Sequence, residues 1–258
     1  MGGRARRSTL AGRLRAAIHG EGAEEVERFH IKGIDPIRDL RQCLPGFAPT
    51  VVVDVGANVG QSAAVFAAAF PHAEILCFEP VSSVFEELQQ RFAVSRRVHC
   101  VRCALGAESG SGSIVLSGST LHSLAASPTA ESAGGTEPVE VRTLDEVCRE
   151  RGIEHVDLLK IDTEGFDLEV LRGAEELLAQ QRVDVVEVEA GMNPENSTHV
   201  PFETLKRHLE RHDYRLFGIY EQKEEWPTLQ PHLRRTNPVY ISQRTIDRHR
   251  GHSPGTPP

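Results

Sequence analysis

The stretch Thr50-Val-Val-Val-Asp54-Val-Gly56-Ala57-Asn58-Val-Gly60-Gln61-Ser62 decides how this chain is read. Its first half is apolar and β-branched, bounded by Pro49 and Gly56, and predicts a short buried strand over 50–55. The Ala-rich run 61–70, stopped by Pro71, predicts a helix. Between them lies a glycine loop, which lets backbone amides approach a ligand closely. Dinucleotide enzymes place G-x-G-x-x-G there, wrapped around a pyrophosphate. Here Gly56 and Gly60 have another spacing, and Asp54 puts an acid just ahead of them. An anion beside a pyrophosphate is unfavourable, whereas one beside an ammonium or sulfonium is favourable.

Outward from that stretch, strand and helix alternate, which signals a mostly parallel sheet with helices on its faces. Further strands are predicted over 74–78, 98–104, 156–161, 183–188, 214–220 and 239–242. Ser83-Val-Phe-Glu86 and Thr143-Leu-Asp-Glu146 read as capping boxes opening helices, the second stopping at Gly152. A single long helix is expected over 166–181 and one more around Phe202, Leu205 and Leu209. Residues 106–137 break the rhythm as a Gly/Ser/Thr/Ala-rich variable insertion. Within it 113–116 is strand-like and pairs naturally with 138–142 as a hairpin. Domain organisation is therefore a basic, flexible leader over 1–30, an α/β domain over 31–244 and a disordered tail over 245–258.

The chain has 258 residues, 39% hydrophobic, and a formal charge of −8. Five arginines and no acid fall in residues 1–20, so the remainder is more acidic than the whole. An acidic body argues against nucleic acid as a partner. No apolar run approaches a membrane span, so no stable membrane insertion is expected. Five cysteines and no visible signal peptide fit a reduced, cytoplasmic setting. Cys100 and Cys103 form a C-x-x-C on a predicted strand, where residues three apart point to opposite faces, so both read as structural.

Glu79, in Phe78-Glu79-Pro80 at the end of the second strand, offers two acceptor oxygens to the paired hydroxyls of a ribose. Nicotinamide dinucleotides and S-adenosyl-L-methionine both carry such a ribose, so Glu79 by itself does not choose between them. Pro80 pre-sets the turn into the next helix.

Asp54-Val-Gly-Ala-Asn-Val-Gly60, Phe78-Glu-Pro80 and Leu158-Leu-Lys-Ile-Asp-Thr-Glu-Gly165, followed by Val170-Leu-Arg-Gly-Ala174, resemble the FkbM family of methyltransferases over about residues 50–242. The resemblance implies a Rossmann-like class I methyltransferase fold: α/β, with a mostly parallel seven-stranded sheet, helices on both faces, its last inserted strand antiparallel, and a small β insertion. It implies S-adenosyl-L-methionine as cofactor and O-methylation of a hydroxyl on a small-molecule acceptor such as a sugar or natural product. Carried over by position, Asp54, Gly56, Ala57, Asn58, Gly60, Gln61 and Ser62 would surround the methionine end of the donor. Glu79 and Pro80 would hold the ribose, and Ala104 and Leu105 would lie beside the adenine.

Asp162 stands at the end of the fourth strand, where ligands bind in open α/β sheets. It is the first candidate both for contact with the donor and for acting on the acceptor. Glu189 and His122 are further catalytic candidates, and His199 is another, although either histidine also reads as an ordinary surface residue. Lys160 reads as a buried partner of a carboxylate, with Glu187 and Glu189 as candidate mates, and Glu164 as a helix-start acid. His208 and His212 could share a helix face but lack the glutamate of H-E-x-x-H, so they read as solvated histidines, and no metal site is expected. The alternatives are a nicotinamide-dependent oxidoreductase and a non-catalytic S-adenosyl-L-methionine-binding module.

Overall fold

The computed structural model describes residues 32–116, 123–125 and 135–250, and the α/β body begins at Gly33. Eight strands form the main sheet: β1 (Val51–Val55), β2 (Glu74–Phe78), β3 (Val98–Val101), β8 (Val156–Ile161), β9 (Val183–Val188), the two-residue β10 (Ala190–Gly191), β11 (Tyr214–Glu225) and β12 (Gln230–Ser242). Across the sheet the order is β3-β2-β1-β8-β9-β12-β11, with β10 continuing the β9 edge against β12. Strands β1, β2, β3, β8 and β9 pair in parallel. β12 is inserted between β9 and β11 and runs antiparallel to both. This is the expected class I methyltransferase arrangement, with one short strand more than the seven anticipated.

Alternation along the central strands creates two cores. Val53, Val55, Leu76, Phe78, Leu159, Ile161, Val186 and Val188 point to one face; Val52, Ile75, Cys77, Leu158, Val185, Val239 and Ile241 point to the other. The second face is covered by α1 (Pro36–Cys43), α2 (Gln61–Ala69) and α3 (Ser82–Arg91), through Leu40, Phe66 and Leu88. The first is covered by α4 (Leu144–Arg151), α5 (Asp167–Arg172), α6 (Glu175–Ala179) and α7 (Phe202–Arg211), through Val147, Leu171, Leu177 and Leu205. Both faces of the sheet are thus dry, which explains why its strands read as continuous apolar runs.

A second sheet, ordered β4-β7-β5-β6, joins β4 (Ala104–Leu105), β5 (Gly110–Val115), β6 (Ser123–Ala125) and β7 (Thr136–Arg142). The hairpin expected within the insertion is present, with 110–115 antiparallel to 136–141. Residues 117–122 and 126–134 of the insertion, and residues 1–31, which include the leader expected over 1–30, lie outside the described residues.

Several expectations are corrected. The third strand divides: Cys100 ends up on β3 and Cys103 beyond it, before β4 joins the second sheet. They pack in different cores, and both are free thiols, as the structural reading required. The helix expected over 166–181 breaks into α5 and α6. At the break the Gly173 carbonyl accepts the Asp145 amide, and Gly173 lies so close to Gly106 that a Cβ would sit 2.0 Å from the Gly106 carbonyl oxygen. Asp145 then caps α6, its carboxylate accepting from the Glu176 and Leu177 amides at 2.8 and 3.0 Å.

Ser83 is not an N-cap, because α3 already starts at Ser82, whose hydroxyl is engaged by Glu137. Thr143 does cap α4, accepting the Glu146 amide at 3.2 Å, and Gly152 ends that helix in the left-handed region. β11 and β12 form one long hairpin in place of the two short strands expected. The tail expected to be disordered from 245 instead begins as α8 (Gln243–His249). Ser242 caps it, and the buried Thr245 hydroxyl donates to Asp184 at 2.7 Å.

Candidate active site

At the carboxyl ends of β1, β2 and β8 lies a cavity of about 380 Å³. Gly56, Ala57, Asn58, Gln61, Ser62, Glu79, Pro80, Ala104, Leu105 and Asp162, all expected at the site, line it together. Asp54 and Gly60 do not. Asp54 is completely buried with neither carboxylate oxygen hydrogen-bonded, 3.9 Å from the Lys160 ammonium. His122 lies outside the described residues.

The glycine loop is closed on itself. Gly56 and Ala57 both donate to the Phe78 carbonyl at 3.0 Å, Asn58 donates to Glu79 Oε2 at 3.0 Å, Val59 to Asn58 Oδ1 at 2.7 Å and Gly60 to the Ala57 carbonyl at 2.8 Å. Five successive amides are therefore occupied by the protein itself, and none is left to cradle a phosphate in the manner of a dinucleotide loop. The two glycines also serve packing. Gly56 has φ +74°, and a Cβ there would stand 1.9 Å from the Asp162 carbonyl oxygen; at Gly60, φ +83°, it would strike Phe92 and Leu88. The missing side chains bring β1 against the end of β8 and α2 against α3.

Glu79 is held from both sides, Oε2 by the Asn58 amide and Oε1 by the Val81 amide at 2.9 Å. A carboxylate oxygen has two lone pairs, so each still has one to offer a hydroxyl in the cavity. Burial raises the Glu79 carboxyl above its ordinary value, against the two amides.

Lys160 and Asp162 form the second centre. Lys160 Nζ donates to Asp162 Oδ2 at 3.1 Å, and Lys160 faces Glu187 across the β8–β9 register. Burial works against the Lys160 ammonium, but Asp162, Asp54 and Glu187 outweigh it and hold the group charged. Burial likewise pushes the Asp162 carboxyl up, yet Lys160 prevails and holds it below the usual carboxylate range. Glu187, buried beside them, is raised to about 7 by desolvation. Of the mates expected for Lys160, Glu187 is near; Glu189 is not among them.

Glu189 instead joins a separate cluster and does not reach the cavity lining. One of its oxygens meets Arg235 and the other lies 3.0 Å from His199 Nε2, which is also 3.4 Å from Glu164 Oε2. His199 is buried, with its Nδ1 against the Asn196 side-chain amide, so its reading as a surface histidine is corrected. Burial disfavours its charged form, but Glu164 and Glu189 raise its pKa to about 9. Glu164 is not a helix-start acid: it sits at φ +51°, and Asp167 takes that part, accepting from the Thr163 and Gly165 amides at 3.3 and 3.1 Å.

Reading the sequence missed part of the wall. Thr163, Glu221 from β11 and Asn237 from β12 line the cavity, and Thr163 Oγ1 and Asn237 Oδ1 are buried atoms without a hydrogen-bond partner. No local pattern marks Glu221 or Asn237, because the hairpin alone delivers them. Among the described residues the lining holds four carboxylates, Glu79, Asp162, Glu164 and Glu221, against one cation, Lys160.

Residues 54–216 match the family model described as the methyltransferase FkbM domain. A methyltransferase of Sordaria araneosa, sdnD, is 31% identical over 156 residues, covering 48% of this chain and 60% of that protein. The hexuronic acid methyltransferase AglP of Haloferax volcanii is 27% identical over 199 residues, 72% of this chain and 80% of AglP. The 2-O-methyltransferase NoeI of Sinorhizobium fredii is 27% identical over 150 residues, 51% of this chain and 60% of NoeI.

Proposed function

The chain belongs to the methyltransferase FkbM domain family, and from that premise we propose that it transfers a methyl group from S-adenosyl-L-methionine to a hydroxyl of a small acceptor, a sugar or a natural product. The observation that carries this reading is the charge of the cavity wall: four carboxylates to one ammonium, above a loop whose amides are all taken. Such a wall attracts a cation and repels a diphosphate, which disfavours a nicotinamide cofactor. The orphaned polar atoms of Thr163 and Asn237 fit a polar occupant. AglP and NoeI, by their names a hexuronic acid and a 2-O-methyltransferase, support a sugar hydroxyl as acceptor.

When bound, S-adenosyl-L-methionine supplies an electrophilic methyl carbon on a sulfonium. Glu79, pre-set by two amides, accepts the ribose hydroxyls without first having to be ordered. Ala104 and Leu105, which line the cavity, would give the adenine an apolar wall, and Asn58, Gln61 and Ser62 would flank the methionine end. Asp162, kept ionised by Lys160, accepts a hydrogen bond from the attacking hydroxyl and aligns its lone pair for in-line displacement. Its low basicity makes it an orienting group that takes up the proton late. Glu189, flanked by Arg235 and His199 behind the wall, holds that end of the site in place.

The test is calorimetric titration of the protein with S-adenosyl-L-methionine and, separately, with NAD, followed by mass spectrometry of a hydroxyl-acceptor panel for a gain of one methylene. A NAD isotherm without one for S-adenosyl-L-methionine overturns the proposal. Binding with no methylated product across sugars and polyols moves the chain to a non-catalytic binding role. Asp162→Asn is expected to lower turnover at least tenfold, roughly one charge-assisted hydrogen bond, while changing donor affinity less. Full turnover in that variant removes Asp162 from the chemistry.

A further inference from the structure

Where the start of α6 meets the end of α7, Glu175, His208 and His212 converge. The two histidines are four positions apart and share a helix face, with ring centroids 5.3 Å apart and planes at 65°. His212 Nε2 lies 3.3 Å from Glu175 Oε1, and His208 Nε2 lies 3.8 Å from Glu175 Oε2. One ligating atom from each residue falls within 4.8 Å of the other two.

The imidazoles are largely buried, contrary to their reading from the sequence as solvated histidines. Their side chains are 13% and 12% exposed, against 57% for Glu175. His208 Nε2 is buried and has no hydrogen-bond partner. It is the ring atom turned toward Glu175, and the His212 ring stands beside it. The ion pairs of Glu175 leave His208 Nε2 unsatisfied, whereas one ion between the three would satisfy it.

We propose that Glu175, His208 and His212 bind a single divalent ion of the zinc class, with water as the fourth ligand. Bonds of about 2.0–2.1 Å in a tetrahedron put ligand atoms roughly 3.3–3.4 Å apart. The 3.3 and 3.8 Å separations run to different oxygens of Glu175, so rotation of its exposed side chain is needed to set one oxygen against both imidazoles, and the three ligand atoms, within 4.8 Å of one another, draw in to this spacing around the ion. Two imidazoles select zinc, copper or nickel over magnesium and calcium. The neighbouring Arg172 is engaged by Glu169 at 2.6 Å. None of the three ligands lines the reaction cavity, so the ion clamps α6 to the end of α7, and the inference stands apart from the methyl-transfer reading.

The experiment strips the full chain with a chelator and titrates it with Zn²⁺ alone, then with Mg²⁺ alone. One equivalent of Zn²⁺ per chain is expected, with the midpoint of thermal unfolding raised by about 5–10 °C at a hundredfold excess over Kd, and no such response to Mg²⁺. His212→Gln and Glu175→Gln alter half-exposed or helix-end positions and keep the fold; each is expected to weaken Zn²⁺ binding at least tenfold, His208→Gln more. Co²⁺ substituted for Zn²⁺ should show the visible absorption of a tetrahedral site, lost in His212→Gln. Absence of stoichiometric Zn²⁺ binding overturns the proposal. So does wild-type binding in all three variants, which would place the ion at another cluster such as His155, Asp157 and Asp184.

Discussion

At one side of the cavity, Glu79 is fixed by the amides of Asn58 and Val81, 21 and 2 positions away along the chain. At the other, Asp162, Glu189 and His199 are fixed by ion pairs, and Arg235 arrives from the last strand of the sheet. The first arrangement depends on backbone amides, which do not vary with the identity of the side chains that carry them, provided Gly56 and Gly60 keep the loop in place. The second depends on a balance of buried charges, so removing one member strands the others. On the proposed reading, the site is rigid on its donor side and electrostatically delicate on its acceptor side.

That contrast can be broken at several points. Lys160→Ala should have the largest effect: it leaves Asp54 a buried carboxylate without its cation and deprives the half-buried Asp162 of its ion pair, and stability should fall by roughly 3–5 kcal/mol, read as a drop in denaturant midpoint. A loss within about 1 kcal/mol would show that the charge balance is not what holds this side. Next is Glu79→Ala, expected to weaken binding of S-adenosyl-L-methionine by roughly 1.5–3 kcal/mol, while Glu79→Gln, which keeps one acceptor oxygen, should lose less. Equal affinity in wild type and Glu79→Ala would remove the donor side as described.

His199 tests the acceptor side by pH. Its pKa in the fold is about 9 against an ordinary 6.5, so its ion pairs contribute fully below about pH 6.5 and their contribution is lost as pH rises through 9. Unfolding midpoints of wild type should decline over that window, and His199→Gln should flatten the decline; parallel profiles would refute the assignment. Smallest is Asn58→Gly. The variant loses the short bond to the Val59 amide but relieves a positive φ of 50°, so stability should change by no more than about 0.5 kcal/mol. A large loss would mean that the Asn58 side chain, and not the backbone, secures the loop.

The same contrast explains what could be read from the sequence. Gly56, Asn58 and Glu79, which line the cavity, announce themselves because a strand end, a loop and a helix start are local events with local residue preferences, whereas Asp54 and Gly60, read by the same pattern, turn away to Lys160 and to the packing of the helices. The parallel order of the sheet followed from alternation for the same reason. His199 was misjudged because its burial depends on Glu189 and Glu164 meeting it in space. Glu221 and Asn237 escaped notice because a hairpin much longer than its apolar runs delivers them. The break at Gly173 was hidden inside a good helical pattern, since only the approach of Gly106 requires it. The capping box at Ser83 failed because Ser82 found a partner in Glu137, 55 positions away.

The insertion of β12 between β9 and β11 has a consequence for biosynthesis. β9 is Val-Asp-Val-Val-Glu-Val, buried throughout, and the residues that shield its free edge, Val239 to Ile241, leave the ribosome roughly fifty residues later, several seconds at ordinary elongation rates. During that interval the nascent chain displays an unpaired, strongly apolar strand edge, the kind that recruits other chains. Premature stops or slow codons between β9 and β12 should therefore yield aggregates in preference to a soluble, partly active protein.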